Sequence, residues 1–295
     1  MVDYAAGIMK KILFTFLLLS SLSGFSQSRD YKKLVSEIKI LSNNYGKLNP
    51  FNDKSALKDF GLKYKDMKGI DENAFSKDRD SIDQYALIEF FRDKMVHKFR
   101  QIMEHKDFMK FGIPEIEGID MVKSADNKLY NYTFDENMGG TYRSRVSVMQ
   151  YTDAKNLNDS IAYSAFMSDG YYNITVINAK SGTKYLLEGE VVGCSTCMVK
   201  YIQLVHFENG KFVEDFNYRL LGRMSEDGIL DIGYNDITQT IGIRYTTDDL
   251  TPSCKCGDSE GPTMEDGALP LQCYCLYKFD GETFVLEEQK PPATD

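Results

Sequence analysis

The chain has 295 residues, a formal net charge of −9 and 42% hydrophobic content, the balance of a globular protein with a sizeable core. The acidic surplus argues against nucleic acid, which selects basic patches, and against an anionic membrane surface. Trp is absent while Tyr numbers 19 and Phe 18, and aromatic residues at that density suit a β-rich core.

The run from Met9 reads MKKILFTFLLLSSLSGFSQS. Lys10 and Lys11 form a positive start, Ile12 and the residues up to Leu19 form an apolar core, and Gly24 and Ser26 place small residues before a cut at Gln27. This is the pattern of a cleavable secretory signal. Its apolar core falls well short of the roughly 20 residues that span a bilayer. The expectation is a signal peptide at 1–26 and an exported chain, periplasmic or secreted, with no membrane span once the signal is removed.

Residues 28–112 carry helical spacing. Tyr31, Leu34, Val35, Ile38 and Leu41 recur on one face, with Ser28 as cap and Gly46 as stop. A weaker helical segment is expected at 53–67, interrupted by Gly61. The strongest helix is expected to start at Ser81, with Ser81 and Gln84 as a capping box. Its apolar stripe is Ile88, Phe91, Met95, Phe99, Ile102 and Met103, continuing to about Met109 before Gly112 and Pro114 end it.

From about Ile119 the pattern changes to short alternating runs separated by turn dipeptides: Asp126-Asn127, Gly139-Gly140, Asp169-Gly170, Ser181-Gly182, Asn209-Gly210, Asp227-Gly228 and Asp280-Gly281. Such dipeptides supply the positive φ that tight hairpins need, so an antiparallel β unit is expected. A turn at Asn209-Gly210 would set Phe207 opposite Phe212. The segment Phe207-Glu-Asn-Gly-Lys-Phe212 is echoed by Phe279-Asp-Gly-Glu-Thr-Phe284.

The stretch SADNKLYNYTF, which begins at Ser124, with Gly139-Gly140-Thr141 after it, resembles a recurring piece of exported Bacteroidota proteins of unknown function. In those proteins a turn, an aromatic strand and a GGT element open a β-rich domain. The resemblance covers about 25 residues together with the signal-like N-terminus; it implies a fold neighbourhood and transfers no catalytic residue.

Six cysteines lie in the β region as C-x2-C, C-x-C and C-x-C: Cys194, Cys197, Cys254, Cys256, Cys273 and Cys275. An even count in an exported chain reads as structural disulfides. Cys194 would pair locally with Cys197. The other four would close the loop 257–272, as Cys254 to Cys275 with Cys256 to Cys273, or in the parallel alternative. Two sharper readings compete: a thiolate metal site assembled from the pairs, and a redox-active Gly-Cys-Ser-Thr-Cys at 193–197. The latter lacks the strand-then-helix setting that lowers a thiol pKa.

His97, His105 and His206 are the three histidines. His97 and His105 are eight apart, too far for one zinc on a helix; both read as solvent-facing, and His206 as a strand surface residue. No G-x-S-x-G, phosphate-binding loop or calcium loop occurs. Acids cluster at Asp248, Asp249, Asp258, Glu260, Glu265 and Asp266, which reads as a solvated loop.

The expected class is α+β: a helical segment at 27–114, then a disulfide-stapled antiparallel β domain at 115–295, a sandwich or a propeller-like meander. No catalytic, cofactor-binding or metal residue is assigned and no cofactor is implied. The leading function is a non-enzymatic exported binding or structural module for an extracytoplasmic protein or glycan. The alternatives are a glycan hydrolase using paired carboxylates such as Asp248 or Asp249, and a metal-thiolate or redox protein.

Overall fold

The computed structural model describes residues 28–138, 140–151, 162–167, 170–209, 211–223, 229–257 and 259–290. The signal expected at 1–26 lies outside the described residues. So do Gly139, Asp169, Gly210 and the Asp227-Gly228 turn.

The chain is mostly antiparallel β sheet, with two long helices in its first third. Helix α1 (Arg29–Tyr45) starts where expected: the Ser28 side chain accepts a hydrogen bond from the Tyr31 amide, and Gly46 caps the end. Helix α2 (Gln84–Met103) carries the long apolar stripe, and its six expected core residues are at most 1% exposed. Its start differs from the expected capping box. Ser81 belongs to a short strand, β2 (Ser81–Asp83), paired with β1 (Lys54–Ala56), and Asp83 caps the helix by accepting from the amides of Tyr85 and Ala86. A carboxylate one residue ahead of the helix satisfies its orphan donors directly, which leaves Ser81 free to pair. The weak helix expected at 53–67 is instead β1 and short 3-10 turns over Leu57–Phe60 and Tyr64–Asp66. Gly61, at φ 67°, stops the first of these turns. Helix α2 also ends earlier than expected; a separate turn of helix, α3 (Phe108–Phe111), follows and closes at Gly112.

Three four-stranded sheets follow in chain order. The first joins β3 (Asp120–Lys123), β4 (Leu129–Asp135), β5 (Arg145–Tyr151) and β6 (Ala162–Met167). The second joins β7 (Tyr171–Ala179), β8 (Gly182–Cys194), β9 (Cys197–Glu208) and β10 (Lys211–Arg223). The third joins β11 (Leu230–Asn235) and β12 (Thr240–Thr246) to β15 (Gln272–Phe279) and β16 (Phe284–Lys290). Between β12 and β15 stands a separate hairpin of β13 (Ser253–Cys256) and β14 (Ser259–Thr263). The turn residues act as their chemistry demands. Asn127 and Asn209 take φ of 56° and 51°, and Gly281 takes 102°, left-handed values that Asn and Gly tolerate best. Phe207 does face Phe212 across β9 and β10, ring centroids 5.5 Å apart.

Strand alternation sends successive residues to opposite faces, and the first and second sheets use both. Tyr132, Phe134, Val146 and Val148 pack against the helices, where Phe99 stacks on Tyr132 with centroids 5.2 Å apart. Leu129 and Met149, on the other face of the same sheet, pack with Tyr185, Leu187 and Tyr201 of the second sheet. Leu186, Ile202 and Leu204 point the opposite way and share a core with Ile241, Ile243 and Tyr245 of the third. The middle sheet is therefore buried on both faces, which explains the near-continuous apolar runs in β8 and β9. Among the described residues no helix is long and apolar enough to cross a membrane.

Candidate functional site

A cleft of about 630 Å³ opens where the C-terminal end of α1 meets the segment leading into the first sheet. Local contacts build it. The Ser42 hydroxyl donates to the Glu117 carbonyl at 2.7 Å, tying α1 to a tight turn closed by the Ile119 amide on the Ile116 carbonyl. Gly118 supplies the positive φ, 79°, that this turn needs. On the far side, the Asn137 side chain donates to the Leu48 carbonyl at 3.2 Å. The Tyr45 hydroxyl donates to the carbonyls of Asp135 and Glu136; burial first, then the neighbouring Asp135 carboxylate, pushes its pKa well above the ordinary phenol value. Behind this wall Glu136 is held by Arg92 at 3.2 Å and by the Ser144 hydroxyl at 2.5 Å. The floor of the cleft is apolar, with Leu48 and Ile116 buried. The rim is polar: Lys39, Asn43, Glu115, Glu117 and Asp135 are exposed. A second cleft of about 330 Å³ shares Glu115 and Ile116 with the first.

A different cluster forms around Lys184 at one end of the second sheet. Lys184 is only 5% exposed. Its Nζ lies 3.0 Å from Asp215 Oδ1 and 3.3 Å from Glu282 Oε2, and donates to the Glu282 carbonyl at 2.8 Å. Asp215 also contacts His206 Nδ1 at 2.7 Å, and Thr283 donates to the Asp215 carbonyl. A β-bulge explains the convergence: the β9–β10 register shifts between Glu214 and Phe216, and the extra residue of a bulge has its side chain re-aimed. His206 is thus half-buried and engaged, not a plain surface residue. No motif marks this in the sequence; the nearest hint is an Asp following a Val-Glu pair in an edge strand. His105 also differs from expectation: its ring lies 5.1 Å from that of Tyr31 and its Nδ1 accepts from the Asp107 amide.

The cysteines pair as Cys194–Cys197, Cys254–Cys273 and Cys256–Cys275. Across the 257–272 loop this is the parallel pairing. Strand β13 does not form a hairpin with β15, which would nest the bridges; it pairs with β14 and lies along β15. Tyr218 of the second sheet donates to the Lys255 carbonyl at 2.5 Å, and the Lys255 amide donates to the Tyr245 hydroxyl of the third. The bridged hairpin is therefore gripped from both sheets.

The carboxylates singled out for hydrolysis both pair with Arg223. Asp248 accepts from the amides of Leu250 and Thr251 and closes its own turn. Asp249 is exposed and pairs with Arg223 at 3.1 Å. Neither lines the clefts described above. Among the described residues no group of three or more His, Cys, Asp or Glu side chains is placed to hold a metal ion. No protein-family model, curated protein or solved structure matches the chain.

Proposed function

We propose that the chain is an exported, disulfide-stapled binding module that takes an extended polar ligand, of glycan type, in the groove between α1 and the first sheet. The observation that carries this reading is the groove itself. Its volume falls in the range of small-ligand sites, and an apolar floor under a few polar groups is their usual lining. Exposed amide and carboxylate groups at the rim, such as Asn43 and Glu117, match the hydroxyls of a sugar, and a neighbouring cleft that shares Glu115 and Ile116 suits more than one ring.

Export is supported by the positive, apolar and small-residue segments at 9–27 and by six cysteines that are all paired, a state that persists in oxidising compartments. In this reading the three sheets stack as successive sandwich-like layers, and the two buried bridges of the β13 hairpin serve structure. The helical segment and first sheet then supply the binding face.

The test is a panel of oligosaccharides titrated against the mature protein by calorimetry. Binding by wild type and a loss of about tenfold or more in Asn43→Trp, which fills the groove from the end of α1, is the expected result. No binding across the panel at millimolar sugar, or binding indifferent to Asn43→Trp, would overturn it.

A further inference from the structure

The three disulfides occupy two different environments. Cys254, Cys256, Cys273 and Cys275 are each at most 2% exposed and belong to the core shared by the second and third sheets. Cys194 and Cys197 flank the two-residue tip of the β8–β9 hairpin. There Ser195 and Thr196 are exposed, Cys194 is half-buried, and only Cys197 is covered. Thiol–disulfide exchange needs a thiolate to reach one sulfur along the bond axis. Cys194 offers that approach and the four core cysteines do not.

Strand pairing continues right up to the exposed bridge. Next to it, β8 and β9 are paired continuously from Tyr185 opposite Val205 to Val192 opposite Met198, so the hairpin keeps its ladder with the bridge open. The stabilising effect of a bridge grows with the loop it closes. Here the separation is 3 residues, against 19 for each of the others. Gly193 also fits this role. A Cβ there would stand 2.7 Å from Leu221 Cδ1 and 3.3 Å from Cys197 Sγ, so a glycine lets the bridge lie close against the sheet.

We propose that Cys194–Cys197 is an exchange-active disulfide whose partner is a dithiol reductant, a small molecule or a dithiol–disulfide oxidoreductase, while the other two bridges stay closed. A reductant thiolate attacks Cys194 Sγ and the Cys194–Cys197 bond breaks. Cys197 leaves as a thiolate and takes a proton from water. The second reductant thiol, as thiolate, then attacks the reductant's own sulfur in the mixed disulfide and releases Cys194, which is likewise protonated. The reductant ends as a disulfide, and the protein gains two electrons and two protons.

The experiment uses the folded full chain under increasing dithiothreitol, followed by acid quench, alkylation and peptide mass spectrometry. The expected result is alkylation of Cys194 and Cys197 at a rate at least about tenfold above that of the other four, with the near-ultraviolet circular dichroism unchanged. A doubly substituted Cys194→Ser, Cys197→Ser chain is expected to keep the wild-type melting temperature within a few degrees. Reduction of all six cysteines together, or only on unfolding, would overturn the proposal, as would a large fall in melting temperature of the double variant.

Discussion

His206 Nδ1 sits 2.7 Å from Asp215 Oδ2, while the other oxygen of the same carboxylate holds Lys184 at 3.0 Å. One carboxylate on β10 thus engages a base on β9 and a buried ammonium on β8. Glu282, from the β15–β16 turn, reaches the same ammonium, so the cluster also joins the second sheet to the third.

Removing Asp215 would leave Lys184 buried with half its compensation. Asp215→Ala is expected to destabilise the fold by roughly 3 kcal/mol, the lower end of the cost of breaking a buried pair, because the Glu282 contacts remain. Denaturant unfolding of the variant measures it. A change under about 1 kcal/mol would mean that the pair behaves as an exposed one.

The same region should respond to acid. The Glu282 carboxyl is held below its ordinary value chiefly by the Ser181 hydroxyl, and that of Asp280 by the Thr283 and Glu282 amides. Both folded-state values are depressed, so both groups stabilise the fold above their unfolded values near about 4. That contribution is lost as pH falls through the lower folded values. Ser181→Ala should raise the pH at which Glu282 titrates, read by carbon-13 NMR of its carboxyl. An unmoved titration contradicts the assignment of Ser181 as the main cause.

Gly189 lies in β8 where a Cβ would collide with the Tyr201 ring and with the Gly170 carbonyl oxygen. The Tyr201 hydroxyl is itself fixed there, donating to the Gly170 carbonyl at 2.6 Å. Gly189→Ala should therefore cost about 1–3 kcal/mol, as overpacking does, and lower the thermal midpoint. A neutral outcome would show that β7 can shift away from β8 at no cost.

Phe99 is 0% exposed and lies between the helical layer and the rings of Tyr132 and Phe134, its centroid 6.4 Å from that of Phe134. Phe99→Ala should destabilise by about 3–5 kcal/mol, measured by unfolding in denaturant. Retention of wild-type stability would mean that α2 does not need the first sheet.

Several elements were legible because their signals are local. The Ser28 cap, the α2 stripe and the Asn127, Asn209 and Gly281 turns each depend on a few consecutive residues and on fixed periods or φ preferences. The start of α2 differs from its local signal for the opposite reason. Ser81 and Gln84 satisfy the capping-box pattern, but the pairing of Ser81 with Ala56 is a long-range contact that overrides it. The candidate groove was not legible at all: Ser42 and Leu48 lie far along the chain from Glu115 and Asn137 and share no motif with them.

The sequence by itself determined the acidic composition, the main helices, the hairpin turns at Asp126-Asn127, Ser181-Gly182 and Asp280-Gly281 and the confinement of the cysteines to the β region. Those follow from periodicity, backbone preference and count. Only the tertiary structure decided which cysteine meets which, that His206 meets Asp215, and that a groove opens beside α1. Each of these depends on which strand lies beside which and on where a bulge shifts the register by one residue, and a one-residue shift re-aims a side chain.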